Sequence, residues 1–171
     1  MSEERAKKIK LLILDVDGVM TDGRIIYGDD GTEYKCFDVR DGHAMKLAGR
    51  AGLKMAIISG RGSKVTERRG KELGIELIYQ NVHNKIEVYE KILKENNLKD
   101  EEVAYVGDDL IDLPVMRRVG LSASVEDALP EVKEEALLVT KNRGGRGAVR
   151  EIIEYILTSQ NLWEGVTKRY Y

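Results

Sequence analysis

Cysteine is nearly missing: Cys36 is the only one in 171 residues. That excludes an internal disulfide and any metal site built from several thiolates. Cys36 itself reads as a half-buried strand residue. Histidine is scarce as well, with His43 and His83 alone. A structural role is the expectation for His43, and neither histidine is assigned to catalysis. No stretch of eighteen apolar residues occurs, so no membrane-spanning helix is expected. The charged segment Met1 to Lys10 has no apolar signal core. Charge of one sign is also absent: 28 basic and 30 acidic residues leave a net −2, and no domain-wide basic field points to nucleic acid. Repeats and low-complexity segments are lacking. What is present is 42% apolar and 34% charged residues, the balance of a soluble cytoplasmic chain long enough for one sizeable core.

Short apolar runs alternate with segments of helical period. The runs are Lys10–Leu14, Lys54–Ile58, Glu76–Tyr79, Val103–Val106, Leu121–Val125 and Leu137–Thr140. Helices are predicted over Asp41–Ala51, Lys64–Leu73, Lys85–Asn96, Leu113–Val119 and Ala148–Thr158, with Gly74 as a stop. Buried strands separated by helices give an α/β class, a doubly wound Rossmann-like parallel sheet with helices on both faces. Residues 24–37 break the rhythm: β-rich runs flank Gly-Asp-Asp-Gly, a signal for a hairpin projecting after the first strand. The tail, residues 159–171, carries Trp163, Tyr170 and Tyr171, enough aromatic surface to dock. The whole of 1–171 reads as one domain.

Ligands of open α/β sheets bind beyond the carboxyl ends of the strands. Asp15, Asp17, Ser59, Lys85, Asp108, Asp109 and Asp112 follow predicted strands and converge there. Asp15 and Asp108, from separate loops, suit a hard cation such as magnesium. Asp15, directly at a strand end, is the best nucleophile toward phosphorus. Asp17 is placed to protonate a leaving oxygen and then activate water, and Gly18 permits the turn between them. Ser59 is a phosphoryl hydrogen-bond donor, and Lys85 supplies positive charge. Asp112 reads equally as a helix N-cap or as a residue near the metal. Arg61, Lys64, Arg68, Arg69 and Lys71 form a basic cluster, either a solvated helix face or an anion pocket.

The order Leu-Leu-Ile-Leu-Asp-Val-Asp-Gly-Val-Met-Thr, Ile-Ser-Gly, a lysine, and Val-Gly-Asp-Asp-Leu-Ile-Asp resembles the haloacid dehalogenase superfamily motif for motif. The resemblance implies Asp15 as nucleophile, Asp17 as acid/base with its backbone oxygen on the metal, and Ser59 as phosphate binder. It also implies Lys85 as the motif lysine, Asp108 as metal ligand, and Mg2+ as cofactor. About forty residues separate Asp17 from Ser59 and 26 positions separate Ser59 from Lys85. Neither gap holds a separate cap domain, so either the substrate is large or neighbouring subunits complete the pocket.

The capless layout, the hairpin, Phe-Asp-Val-Arg-Asp-Gly-His from Phe37 and Gly-Gly-Arg-Gly-Ala-Val-Arg-Glu from Gly144 narrow the resemblance, from about Leu11 to about Leu157, to 3-deoxy-D-manno-octulosonate 8-phosphate phosphatases. That family serves lipopolysaccharide synthesis as a homotetramer, with packed hairpins and tails that close neighbouring sites. It implies substrate contacts at Asp17, Asp38, Val39, Arg40, Asp41, Gly42, Lys46, Gly60, Arg61, Arg69 and Lys85. Arg61 sits where a helix start would favour an anion, and its planar fork suits a carboxylate. For Lys46 and Arg69, exposed helix charge is the competing expectation. Asp38 stands where the pattern often has Asn, which adds negative charge near an anion, and Asn81 stands where it has Gly. Gly144, Gly145 and Gly147 could cradle an anion or form a joint before the last helix. The alternatives are a phosphatase for a nine-carbon sugar-acid 9-phosphate, which Arg61 disfavours, a non-catalytic tetramerisation domain, and a phospho-aspartate receiver.

Overall fold

The computed structural model describes residues 2–171. Its centre is β1 (Leu11–Leu14), four apolar residues buried on both faces. β1 pairs in parallel with β4 (Lys54–Ile58) on one side and β6 (Val103–Gly107) on the other. β5 (Leu77–Tyr79) extends the sheet beyond β4, and β7 (Leu121–Ser124) and β8 (Leu138–Val139) extend it beyond β6. All six strands are parallel, in the order β5-β4-β1-β6-β7-β8. The chain moves outward from β1 in one direction and then in the other. A crevice therefore opens at the carboxyl end of β1, where the winding reverses.

Every parallel connection needs a crossover. These are α2 (Val39–Arg50), α3 (Lys64–Leu73), α4 (Lys85–Asn96), α5 (Leu113–Met116) and α6 (Pro130–Glu135), and α7 (Ala148–Ser159) follows β8. α2 packs on α3 and α7, while α5 packs between α4 and α6. These two groups cover opposite faces, which is why the strands read as unbroken apolar runs. α3 begins at its Ser63 cap and ends at Gly74, whose φ of +83° suits glycine in a left-handed stop.

The predicted frame holds, with differences at its margins. α1 (Ser2–Ala6), α6 and α8 (Trp163–Thr167) are short helices without a readable period. The predicted helix 113–119 shortens to α5. The hairpin has only two paired residues per strand, β2 (Ile26–Tyr27) and β3 (Glu33–Tyr34), in register Ile26↔Tyr34 and Tyr27↔Glu33. Cys36 lies outside β3 and is exposed, against the half-buried strand position expected. The tail docks: Trp163 packs against the core, and the Tyr170 hydroxyl meets His43 Nε2 (2.9 Å) and Arg50 (3.2 Å) on α2. No helix among the described residues is long and apolar enough to cross a membrane.

Candidate active site

The register fixes the site. Leu14 lies beside both Ile57 and Val106, so Asp15, Ser59 and Asp108 leave three adjacent strand ends side by side. Asp15 is buried, and Lys85, the first residue of α4, is buried with it. Lys85 Nζ lies 2.9 Å from Asp15 Oδ1 and donates to Asp112 Oδ1 at 2.7 Å. Burial pushes the Asp15 carboxyl up to about 6, opposed by Lys85 and reinforced by Asp112. Burial also opposes charge on Lys85, but Asp15 and Asp112 outweigh it and hold the ammonium above its usual range.

Asp112 resolves the two sequence readings. Its carboxylate, wholly buried, accepts from Lys85, from Tyr105 Oη (2.6 Å), and from the backbone N–H groups of Asp108 (3.0 Å) and Asp109 (3.2 Å). With its lone pairs engaged it is an anchor for Lys85 and for the 108–109 loop, not a free metal ligand. Asp109 is turned to its own loop, accepting from Leu110 N–H.

Asp108 is the opposite case. Its Oδ1 is buried with no hydrogen-bond partner. Burial first, then the charges of Asp15, Asp112 and Asp109, push its carboxyl up to about 8. Oxygens of Asp15, Asp108 and Asp112 lie within 4.8 Å of one another. An orphaned carboxylate oxygen facing a second carboxylate is what a hard, oxygen-seeking cation would satisfy. The residues present fit Mg2+, with Asp15 and Asp108 as its carboxylates. Gly18, at φ +96°, is essential to this packing, since a Cβ there would lie 2.0 Å from Asp108 Oδ2.

These shifts give a pH prediction. A carboxyl whose folded pKa is raised contributes stability below its unfolded value near 4, and that contribution is lost as pH rises through the folded value. Metal-free protein is therefore expected to lose thermal stability between pH 4 and pH 8 as Asp15 and then Asp108 ionise at about 6 and about 8. Magnesium at a hundredfold excess over its Kd adds about 2.7 kcal/mol, roughly 5–10 °C at this size. The midpoint gain should be larger at pH 8 than at pH 5.5, because protons compete with the metal. An equal gain at both values in calorimetry would remove Asp15 and Asp108 as the pair holding it.

The remaining expected residues divide. Ser59 is buried, its Oγ accepting from Arg61 N–H (3.3 Å). Gly60 joins Ser59 to Arg61 in the loop before α3; Arg61 precedes the helix start, which Ser63 caps. Arg61 instead turns to the hairpin, donating to Tyr27 Oη and Glu33 Oε1, both at 3.0 Å. Lys71 and Arg68 pair with Glu67 and Glu72 along an exposed face. The basic cluster is thus mostly a solvated face from which Arg61 departs.

Several expected substrate contacts carry structural work. Asp38 caps α2, accepting from Arg40 N–H (2.7 Å), and pairs with the Arg40 side chain (2.9 Å). Asp41 is buried and accepts from Gly147 N–H (3.2 Å) and Arg150 N–H (2.8 Å). The anion at the start of α7 is therefore Asp41 itself, which leaves the Gly144–Gly147 loop no role as a ligand cradle. That loop instead braces the catalytic turn, Gly145 N–H donating to the Val19 carbonyl (2.9 Å). Gly42 lies under Arg69, whose guanidinium stacks on Phe37 at 5.8 Å. Val39 is exposed. Lys46 shares a cleft with Lys54 and Glu76 at the amino ends of β4 and β5, the end of the sheet away from Asp15. The ion pairs of Arg40 and Arg69 go to Asp38 and Glu72, while Asp15 pairs with Lys85.

A strand-end aspartate paired to a buried lysine, a second aspartate ready for a cation, and an Asp-x-Asp loop define a metal-assisted phosphohydrolase of the aspartate-nucleophile class. Residues 63–153 match the family model of haloacid dehalogenase-like hydrolases. The chain is 48% identical over 164 residues to 3-deoxy-D-manno-octulosonate 8-phosphate phosphatase KdsC of Yersinia pestis, covering 96% of this chain and 88% of that protein. It is 48% identical to the Escherichia coli K12 enzyme, covering 91% and 83%. The structure of the Moraxella catarrhalis phosphatase in complex with magnesium ion, phosphate ion and KDO superposes with a TM-score of 0.97 at 38% identity, covering 99% of this chain and 97% of that one. The chain belongs to the 3-deoxy-D-manno-octulosonate 8-phosphate phosphatase family of haloacid dehalogenase-like hydrolases.

Proposed function

We propose that this chain is a magnesium-dependent phosphatase for 3-deoxy-D-manno-octulosonate 8-phosphate, acting in the cytoplasm in lipopolysaccharide synthesis, with all of 1–171 as one domain. The observation that carries the reading is the buried Asp15–Lys85–Asp112 chain beside the orphaned Asp108 oxygen. Asp15 attacks phosphorus, forming an acyl phosphate while the bond from phosphorus to the sugar oxygen breaks. Asp17 gives that oxygen its proton. Asp17 then takes a proton from water, whose oxygen attacks phosphorus and releases phosphate and free Asp15. Ser59 and Lys85 hold phosphoryl oxygens and offset their charge. Asp15, Asp108 and the Asp17 backbone would hold Mg2+, which when bound would neutralise phosphate charge and orient the group.

The remaining contacts belong to an assembly. Val39 is exposed, Arg40 pairs with Asp38, and Lys46 lies at the opposite end of the sheet from Asp15, and they would serve a neighbour's sugar end. Exposed Ile25, Ile26, Tyr27 and Tyr34 on the hairpin supply an apolar surface for packing four copies together. The test compares phosphate release from octulosonate 8-phosphate and from a nine-carbon sugar-acid 9-phosphate, with magnesium. At least tenfold higher kcat/KM on the first, about 1.4 kcal/mol of discrimination, is expected. Reversal of that order would move the enzyme to the nine-carbon substrate.

A further inference from the structure

The hairpin projects mostly into solvent, yet the lysine just past its second strand does not. Lys35 follows directly on β3, and its side chain is 1% exposed. Its ammonium is bonded to Asp17 Oδ1 and lies 3.7 Å from Glu33 Oε1. Arg61 Nε lies 4.0 Å from Asp17 Oδ2, and Arg61 also holds Glu33. Lys35 thus holds one Asp17 oxygen, Arg61 only approaches the other, and the two cations share Glu33. A buried ammonium is costly unless paired, and core packing gives no reason for one here. Its acidic partners, Asp17 and Glu33, are both at the mouth of the site.

We propose that Lys35 is a positioning residue that, by holding Oδ1, turns the Asp17 carboxyl group so that its Oδ2 carries the proton given to the leaving oxygen and later takes one from water. The inference rests on the reading of Asp17 as the acid/base. A free carboxylate samples several rotamers, and general acid catalysis requires the donor within hydrogen-bond reach of the oxygen it protonates. Lys35 removes that search and ties Asp17 to the hairpin.

The experiment compares Lys35→Met with the parent full-length protein, with magnesium, on two esters. Octulosonate 8-phosphate leaves as an alkoxide that needs a proton, whereas 4-nitrophenyl phosphate leaves as a stable phenolate that does not. On the alkyl ester, kcat is expected to fall about 10- to 100-fold, part of the 10²- to 10⁴-fold that general acid catalysis supplies. KM should stay within about threefold, and the nitrophenolate burst rate should change little. Lys35→Arg should recover part of the loss. In an Asp17→Asn background, Lys35→Met should cost little more, the non-additivity of groups acting as one unit. Equal losses on both esters, a loss confined to KM, or additive losses would overturn the proposal. Should Asp17→Asn itself keep the alkyl-ester rate, the acid/base reading falls instead, and that result is distinct from a failure of Lys35 alone.

Discussion

Asp15→Asn is expected to abolish turnover, by about 10⁴-fold or more, as removal of a catalytic nucleophile does. An amide cannot form the acyl phosphate. The protein should nevertheless fold. Asn preserves the shape of a buried side chain, and Lys85 keeps Asp112 as its counter-charge at 2.7 Å. The substitution also removes one negative charge from the cluster that pushes Asp108 up to about 8. At pH 8 without metal, the unfolding midpoint should therefore not drop below that of the parent. Phosphate trapped on the parent during turnover should be absent from the variant. Activity within tenfold of the parent would remove Asp15 as nucleophile.

Asp112→Ala is expected to damage fold and activity together, although Asp112 touches no substrate in the mechanism. The change strips Lys85, Tyr105 and two backbone N–H groups of a shared acceptor in a fully buried place. Breaking one side of a buried ion pair costs about 3–5 kcal/mol, roughly 6–20 °C in midpoint for a chain of this size. Lys85 is then free to collapse onto Asp15 and quench the nucleophile. Thermal unfolding and phosphate release measure both effects. A midpoint within 2 °C of the parent would show that the four donors find other partners. Asp112→Asn should fall between, since the amide retains one acceptor oxygen but turns a donor toward a donor.

Much of this was legible in the sequence, for a physical reason. A central strand buried on both faces must be mostly apolar, so the runs Lys10–Leu14, Lys54–Ile58 and Val103–Val106 announced themselves. The polar residues that interrupt such runs mark where the strands end. In a parallel sheet those ends lie together, so Asp15, Ser59 and Asp108 could be grouped from order alone. Lys85 followed from the same logic at a helix start.

Other features depended on what lies across space. Asp41 sits in a helix-period segment beside charged neighbours, and nothing local says that its partners are the N–H groups of Gly147 and Arg150. Lys35 alternates with apolar residues as any solvent-facing strand residue would. Only the folding-back of the hairpin buries it against Asp17. Asp112 kept two readings until Tyr105 and Lys85 were seen to converge on it.

The sequence by itself determined the α/β class, the strand order of events along the chain, and the chemistry at the strand ends, because periodicity and motif order are local properties. Tertiary structure alone decided which charges are paired. Lys35–Asp17 and the two pairs on Lys85 join residues 18 to 70 positions apart, and the energy of a buried charge is set by what surrounds it in space, not along the chain.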